Sequence, residues 1–274
     1  MISQIRRFTE ADLEQLAALQ ARCVEHDGGR LKLEYGSLRA RTDDRVSALV
    51  IRDGQHMIGF LGFYFGQPLE IAGMVDPSHR RQGRATDLVH AARPLLTSPT
   101  LLVVPSGAAP GRAMAAKLGA RWEHSEHAMR LTRPVTAGPA GPALTRRVAT
   151  SDDLSSLVTL LRAAFGWAPT DLGARLVEPH ARTEVVELDG RIVGTIRIER
   201  HADTGSIYGF AVEPAYQGRG IGRHVLTDVG RELQASGCTE IRLDVEVQNE
   251  QALRLYTSTG FERVGGEEYW EFAP

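Results

Sequence analysis

The chain has 274 residues, more than one ordinary hydrophobic core usually serves, and its 42% apolar and 24% charged content is that of a globular protein rather than a fibrous or disordered one. Its 32 Lys and Arg against 34 Asp and Glu leave a formal charge of −2, which gives no electrostatic reason to expect nucleic acid or an anionic membrane as a partner. Two cysteines, Cys23 and Cys238, are too few for a disulfide framework or a zinc site and point to a reducing cytoplasm.

Ile5 to Phe8 predicts a short strand, and Ala11 to Val24 a helix with Leu13, Leu16 and Leu19 on one face, capped by Thr9 or Asp12. Ala48 to Arg52, the turn Asp53-Gly54 and Met57 to Phe65 predict a β-hairpin. That last run is also among the most apolar, yet it is too short to cross a bilayer and is broken by Gly59 and Gly62, so no targeting or spanning segment is expected. A strand from Ile71 ends at Asp76-Pro77, and the loop Arg80-Arg81-Gln82-Gly83-Arg84-Ala85 leads into a helix. Thr132 to Ala143, rich in Pro, Gly and Ala, has the composition of a linker. The same order then restarts. Thr145 to Val148 mirrors the first strand, Asp153 to Phe165 the first helix, and Glu184 to Leu188, Asp189-Gly190 and Ile192 to Ile198 the hairpin. A repeat of about half the chain predicts two α/β domains in tandem, 1–133 and 144–274, joined by 134–143.

In the second half, a strand carrying Ile207, Tyr208, Phe210 and Val212 is stopped by Pro214, which cannot donate to a ladder. The chain then turns through Gln217-Gly218-Arg219-Gly220-Ile221-Gly222 into a helix starting near Ile221. Glycines let a backbone approach a ligand, and a helix N-terminus offers unpaired N–H groups, so the turn is a candidate pyrophosphate cradle. A Walker loop would require Lys-Ser/Thr after Gly222, where Arg223-His224 stand; a dinucleotide fingerprint would require Gly at Arg223. Downstream, Ile241 to Val247 predicts a buried strand and Asn249 to Tyr256 a helix, closed by Thr259-Gly260-Phe261 with Gly260 as a C′ residue.

The pattern Gln217-x-x-Gly220-x-Gly222 after a Val-x-Pro strand end, followed by strand, Asn249, helix, Tyr256 and Gly260-Phe261, resembles the GNAT superfamily of N-acetyltransferases. The resemblance covers nearly the whole chain. It implies two tandem GNAT folds with mixed sheets, acetyl-CoA as cosubstrate, an amine acceptor and no metal. It also implies that pantetheine pairs with Phe210, Ala211 and Val212, that pyrophosphate sits on Gln217 to Gly222, and that Asn249 contacts the cofactor. A possible second cofactor loop runs from Met74 and Val75 through Arg80, Arg81, Gln82, Gly83 and Arg84 to Ala85. Aligning Leu118-Gly119-Ala120 with Thr259-Gly260-Phe261 places Ala115 opposite Tyr256, Ala108 opposite Asn249 and Val103 opposite Asp244. The N-terminal domain is therefore expected to be degenerate and the C-terminal one catalytic.

Acyl transfer to an amine needs a base for the amine and a proton for the departing thiolate. The Tyr256 phenol, ordinarily near pKa 10, is the candidate acid. Asp244 is a candidate base, since a Glu holds the matching place in GNATs that acetylate ribosomal-protein N-termini; strand alternation puts it on one face with Glu246, where a salt bridge to Arg242 is the alternative. Other GNATs, mycothiol synthase among them, use a Glu six residues before Val212, which is Ser206 here, and then Tyr208 or a water chain would serve. Phe165 and Trp167 fall either where GNATs meet their acceptor or in the core, and Arg219 and Arg223 either hold phosphates or are solvated. His79, His90, His124 and His127 lack metal-ligand spacing. The acceptor and the oligomeric state are left open. Two other readings stand beside the leading one: a mycothiol-synthase-like acetyltransferase, disfavoured by Ser206 and a short chain, and a non-catalytic acetyl-CoA sensor, disfavoured by Asn249 and Tyr256.

Overall fold

A computed structural model describes residues 1–273 apart from 30–32, 34, 42, 66–67, 97–98, 134–142 and 179–180, so the expected linker lies, except for Ala143, outside the described residues. The elements before it are β1 (Ile2–Ile5), α1 (Glu10–Asp27), α2 (Tyr35–Ala40), β2 (Ala48–Asp53), β3 (His56–Tyr64), β4 (Leu69–Val75), α3 (Arg84–Ala92), β5 (Thr100–Pro105), α4 (Ala109–Lys117) and β6 (Arg121–Leu131). After it come β7 (Leu144–Val148), α5 (Leu154–Phe165), α6 (Leu172–Arg175), β8 (Ala181–Leu188), β9 (Arg191–His201), β10 (Thr204–Val212), α7 (Ile221–Ala235), β11 (Glu240–Glu246), α8 (Glu250–Ser258) and β12 (Phe261–Phe272).

The repeat extends to the helix caps. The Thr9 hydroxyl accepts from Asp12 N–H while the Asp12 carboxylate accepts from Thr9 N–H, both at 3.1 Å, so the two residues offered as alternative caps act together. Thr150 and Asp153 make the same box ahead of α5. Arg147 also donates to both Asp153 oxygens, at 2.7 and 2.8 Å, and this pairing holds the buried carboxyl below the usual carboxylate range.

The chain separates into two compact units that do not follow the halves of the sequence. Unit 1 is Met1–Glu126 with Gly265–Pro274, and unit 2 is His127–Val264. In unit 1 the strands run β1-β2-β3-β4-β5 and then the end of β12, with β4 and β5 parallel and Glu267–Phe272 antiparallel to Pro105–Thr100. In unit 2 the order is β7-β8-β9-β10-β11, with β6 beside β11 and only His127–Leu131 of it belonging to the unit. Each unit thus takes a strand from the other half of the sequence. The exchange covers the edge of β5, a row of apolar residues that would otherwise face solvent with its backbone groups unpaired.

Each sheet is packed on both faces. In unit 1, Leu13, Leu16 and Leu19 of α1 meet Val50, Phe60 and Met74, and Leu88 and Ala92 of α3 with Ala115 of α4 meet Ile71 and Leu102. In unit 2, Leu157, Leu160 and Leu161 of α5 meet Val185 and Ala211, while Val225, Leu226 and Val229 of α7 meet Ile196, Ile198, Ile207 and Leu243. Each such buried Leu or Ile contributes about 1.5–3 kcal/mol by leaving water, so both units have the core to position a site.

A cut between 134 and 143 should therefore give two fragments that stay together on native gel filtration and separate only in denaturant, because residues 265–274 complete the unit that contains residues 1–126. Independent elution of two folded fragments would contradict the exchange. A second expectation concerns pH. Because the Asp153 pKa is lowered by folding, its contribution is present above the unfolded carboxylate pKa of about 3.9 and is lost as pH falls through the folded value. Asp153→Asn should cost about 1.5–3 kcal/mol at neutral pH, and denaturant titrations should show the deficit shrinking below pH 4 or so.

Candidate active site

Parallel pairing between β10 and β11 runs from Thr204↔Glu240 to Ile207↔Leu243 and extends no further among the described residues, although β10 continues to Val212 and β11 to Glu246. The next residues on the two strands are Tyr208 and Asp244, so two of the expected catalytic residues stand where the strands part. On its other edge β10 is bulged: Tyr208 pairs with Arg197 and Ala211 with Thr195, three steps against two. Gly209, inside the bulge, has φ +51°, a region that costs a residue with a Cβ about 1–2 kcal/mol. A bulge leaves backbone N–H and C=O groups outside the ladder, and here it does so beside Phe210, within the stretch expected to meet pantetheine. The sequence reading missed this device, for which Gly209 within a β-branched and aromatic run was the available signal.

Beyond Val212 the loop is built as a cradle. Gly218 and Gly220 have φ of +75° and +79°, are exposed, and face open space where a Cβ would stand. Gly220 N-caps α7 without a side-chain hydrogen bond, which leaves the first N–H groups of that helix uncapped by side chains. Gly222 differs. Its φ is not positive, and an added Cβ would lie 2.9 Å from Leu255 Cδ2, so its lack of a side chain lets α7 pack against α8. Gln217 donates from Nε2 to Val212 O at 3.0 Å and accepts from Gln251 Nε2 at 3.2 Å, tying the loop to the strand end and to α8. Arg219 and Arg223 are held by carbonyls, Ala215 O at 3.0 Å and Ser258 O at 3.2 Å.

Helix α8 supplies the remaining polar groups. Asn249 is its N-cap, accepting from Ala252 N–H through Oδ1 at 3.0 Å, which uses the oxygen and leaves the amide N–H groups for another partner. Tyr256 is 8% exposed within the core cluster of unit 2, its ring tilted 60° to Phe261 at 6.1 Å. Burial disfavours the phenolate and pushes its pKa up to about 12. Its hydroxyl has no hydrogen-bond partner among the described residues. Asp244 is half-buried, Val245 buried and Glu246 exposed, as alternation requires, and Arg242 pairs with Glu240 at 3.1 Å. Ser206 pairs across β9 with Glu199. Phe165 and Trp167 are 41% and 59% exposed, so neither is held by core packing.

Unit 1 repeats the loop and the parting of its parallel strands, since β4 and β5 pair, among the described residues, only from Leu69↔Thr100 to Ala72↔Val103, but not the bulge or the polar groups of α8. Arg81 and Gly83 take φ of +63° and +82°, matching Gly218 and Gly220, and Arg80 Nε donates to Val75 O at 2.9 Å as Gln217 does to Val212 O. The remaining Arg80 nitrogens form a bidentate pair with Asp27 at 2.7 and 2.8 Å. The β3–β4 ladder runs from Gly59↔Val75 to Tyr64↔Glu70 with no register shift, so Met74 and Val75 end a strand without a bulge. Ala108 caps α4 with no side-chain bond, and Ala115 is fully buried.

A family profile described as "Acetyltransferase (GNAT) family" matches residues 12–119 and again residues 154–261. A mycothiol acetyltransferase of Thermomonospora curvata is 29% identical over 97% of this chain and 96% of its own length. The N-alpha-acetyltransferase RimI of Mycobacterium tuberculosis is 33% identical over 49% of this chain and 82% of its own. Among solved structures, a GCN5-related N-acetyltransferase from Sphaerobacter thermophilus covers 100% of this chain and 96% of its own at 22% identity, with a TM-score of 0.77.

The packing role of Gly222 makes a clear expectation. Gly222→Ala should cost about 1–3 kcal/mol through overpacking, and adding Leu255→Ala to that chain should recover part of the loss in a chemical-denaturation cycle. Simple additivity of the two costs would contradict the contact.

Proposed function

The chain belongs to the acetyltransferase (GNAT) family, and on that footing we propose that unit 2 moves an acetyl group from acetyl-CoA to a primary amine of a small molecule, in a ternary complex. The observation that carries this reading is the coincidence, in one unit, of parted strands, a bulged β10, an uncapped glycine loop, Asn249 and Tyr256. The loop suits pyrophosphate on its own geometry: left-handed glycines with open space where a side chain would stand, and helix N–H groups without side-chain acceptors. Phe210 to Val212 would pair with the pantetheine arm, Gln217 to Gly222 and Asn249 would hold the polar end, and acetyl-CoA would supply the acetyl thioester. Unit 1 is non-catalytic on this reading, since β4 has no bulge against β3 and Ala108 and Ala115 stand where unit 2 has Asn249 and Tyr256.

In the transfer the amine nitrogen forms a bond to the acetyl carbon as the carbon–sulfur bond breaks; the nitrogen loses a proton and the sulfur gains one. Asp244, at the point where the strands part, takes the amine proton directly or through water, with Tyr208 across from it. Tyr256 donates to the departing sulfur. A phenol near pKa 12 is a weak acid, but the same burial that weakens it also raises the basicity of a neighbouring thiolate, so the two remain matched.

The full-length match to a mycothiol acetyltransferase favours a small-molecule acceptor, whereas the match to a peptide-directed relative spans half the chain. It also removes the objection that the chain is short, because the alignment covers 96% of that relative. The departure at Ser206 stands.

Tyr256→Phe should lower kcat by roughly ten- to a thousandfold with little change in acetyl-CoA affinity and none in fold, because no hydrogen bond to protein is lost. Gly220→Glu should abolish acetyl-CoA binding by calorimetry. Turnover assays over small-molecule amines and N-terminal peptides test the whole reading: acetyl-CoA binding without turnover on any of them would favour a sensor instead.

A further inference from the structure

We propose that Arg197 is a positioning residue for the amine acceptor of unit 2: it fixes α6 and the residues after it as a wall beside the opening between β10 and β11, and so sets how an acceptor reaches Tyr208 and Asp244. The inference rests on the transfer proposed above for unit 2. Ile196, Ile198, Ile207, Leu243 and Val245 all belong to the core cluster that α7 packs into, so alternation turns Arg197, Tyr208 and Asp244 to the opposite face, the one on which α5 meets Val185 and Ala211. There Arg197 pairs with Thr183 of β8 on one side and with Tyr208 of β10 on the other. The row Thr183, Arg197, Tyr208 thus crosses three strands and ends where the parallel pairing ends.

Arg197 joins that row to α6. Its side chain is 13% exposed. Nη1 donates to the carbonyl of Arg175, the last residue of α6, at 2.7 Å and to Thr183 Oγ1 at 3.1 Å, while Nη2 pairs with the Glu178 carboxylate. Apolar contact holds the other side of the helix, since Leu172 is buried in one cluster with Val185 and Ala211, and Leu176 packs against it. Ala211 ends the bulge of β10, so α6 stands over that end of the strand on the face that carries Tyr208. A helix of four residues has too few internal bonds to keep its own place. The planar fork of an arginine holds several acceptors in one fixed geometry, which a lysine cannot do.

The repeat supplies a comparison. Gly59 pairs with Ile51 and Val75 as Gly194 pairs with Val186 and Val212, so the two glycines hold the same place in their sheets. Three residues on from each, Gly62 stands where unit 2 has Arg197. Unit 1 therefore has no side chain at that place to reach toward α2, and it is the unit read as non-catalytic. In unit 2 the three acceptors, Arg175, Thr183 and Glu178, lie outside both the loop Gln217 to Gly222 and α8. Loss of Arg197 should therefore act on the acceptor and spare acetyl-CoA.

The test uses the full-length protein and an amine that the wild type acetylates. Arg197→Met should raise the acceptor KM about tenfold or more, with kcat and the acetyl-CoA Kd each within about threefold of wild type. Arg197→Lys, which keeps the charge but not the fork, should fall between the two. Glu178→Ala, at a half-exposed side chain, should raise the acceptor KM about threefold or more in the same pattern and serves if Arg197→Met does not fold. Asp153→Asn controls for general loss of stability and should leave the acceptor KM unchanged. An unchanged acceptor KM in folded Arg197→Met would overturn the assignment, as would an unchanged one in Glu178→Ala where Arg197→Met cannot be obtained folded. So would an equal rise in the acetyl-CoA Kd, or the same rise in acceptor KM in Asp153→Asn. A wild type that acetylates no amine would instead overturn the transfer itself, and this assignment with it.

Discussion

Everything proposed for unit 2 depends on a pair of parallel strands that stop pairing while both continue. After Ile207 and Leu243 the backbone groups on the facing edges of β10 and β11 no longer serve each other. Backbone N–H and C=O groups cannot be left buried and unmatched without cost, so such a gap lasts only where water or a ligand can fill it and where both strands are held firmly from their other sides. The other edge of β10 is held by its ladder to β9 and one face of the sheet by α7, through Ile207, Leu243 and Val225. The chemistry proposed for Tyr208, Asp244 and Tyr256 requires a scaffold of this kind to keep the opening from closing.

The two units show what happens when part of this arrangement is retained. Unit 1 keeps the loop so closely that Arg81 occupies a left-handed conformation that Gly218 takes at less cost. It lacks the bulge in β4, and Arg80 is locked onto Asp27. Loop shape and reactive constellation are separable properties: the first is fixed by a few backbone angles, the second by register and side chains spread over three elements.

The sequence disclosed most of what is local. The hairpins, the Thr-capped helices, the glycine loop and the Asn249 cap all follow from turn chemistry and periodicity within short windows, and the repeat doubled the number of chances to see them. What it hid was relational. A bulge shows only when two strands are counted against each other, which is why Gly209 passed unnoticed. The reason for Gly222 lies in Leu255, thirty-three residues on. The destination of Glu267 to Phe272 could not be read at all, because a strand can pair with any open edge, and the distant partner Thr100 to Pro105 carries no local mark.

That last pairing affects how the chain is made. Ribosomes add about 5–20 residues per second, and β5 emerges roughly 160 residues before the strand that completes its edge. For something like ten to thirty seconds the first-synthesised unit waits with an apolar β-edge open, while unit 2, whose outer strand from β6 is already present, can close as soon as β12 begins. The half of the protein that is translated first is the half that finishes folding last. A nascent chain in this state depends on chaperones or on its own solubility, and loss of Glu267 to Phe272 would spoil the unit built mostly from the first half of the sequence.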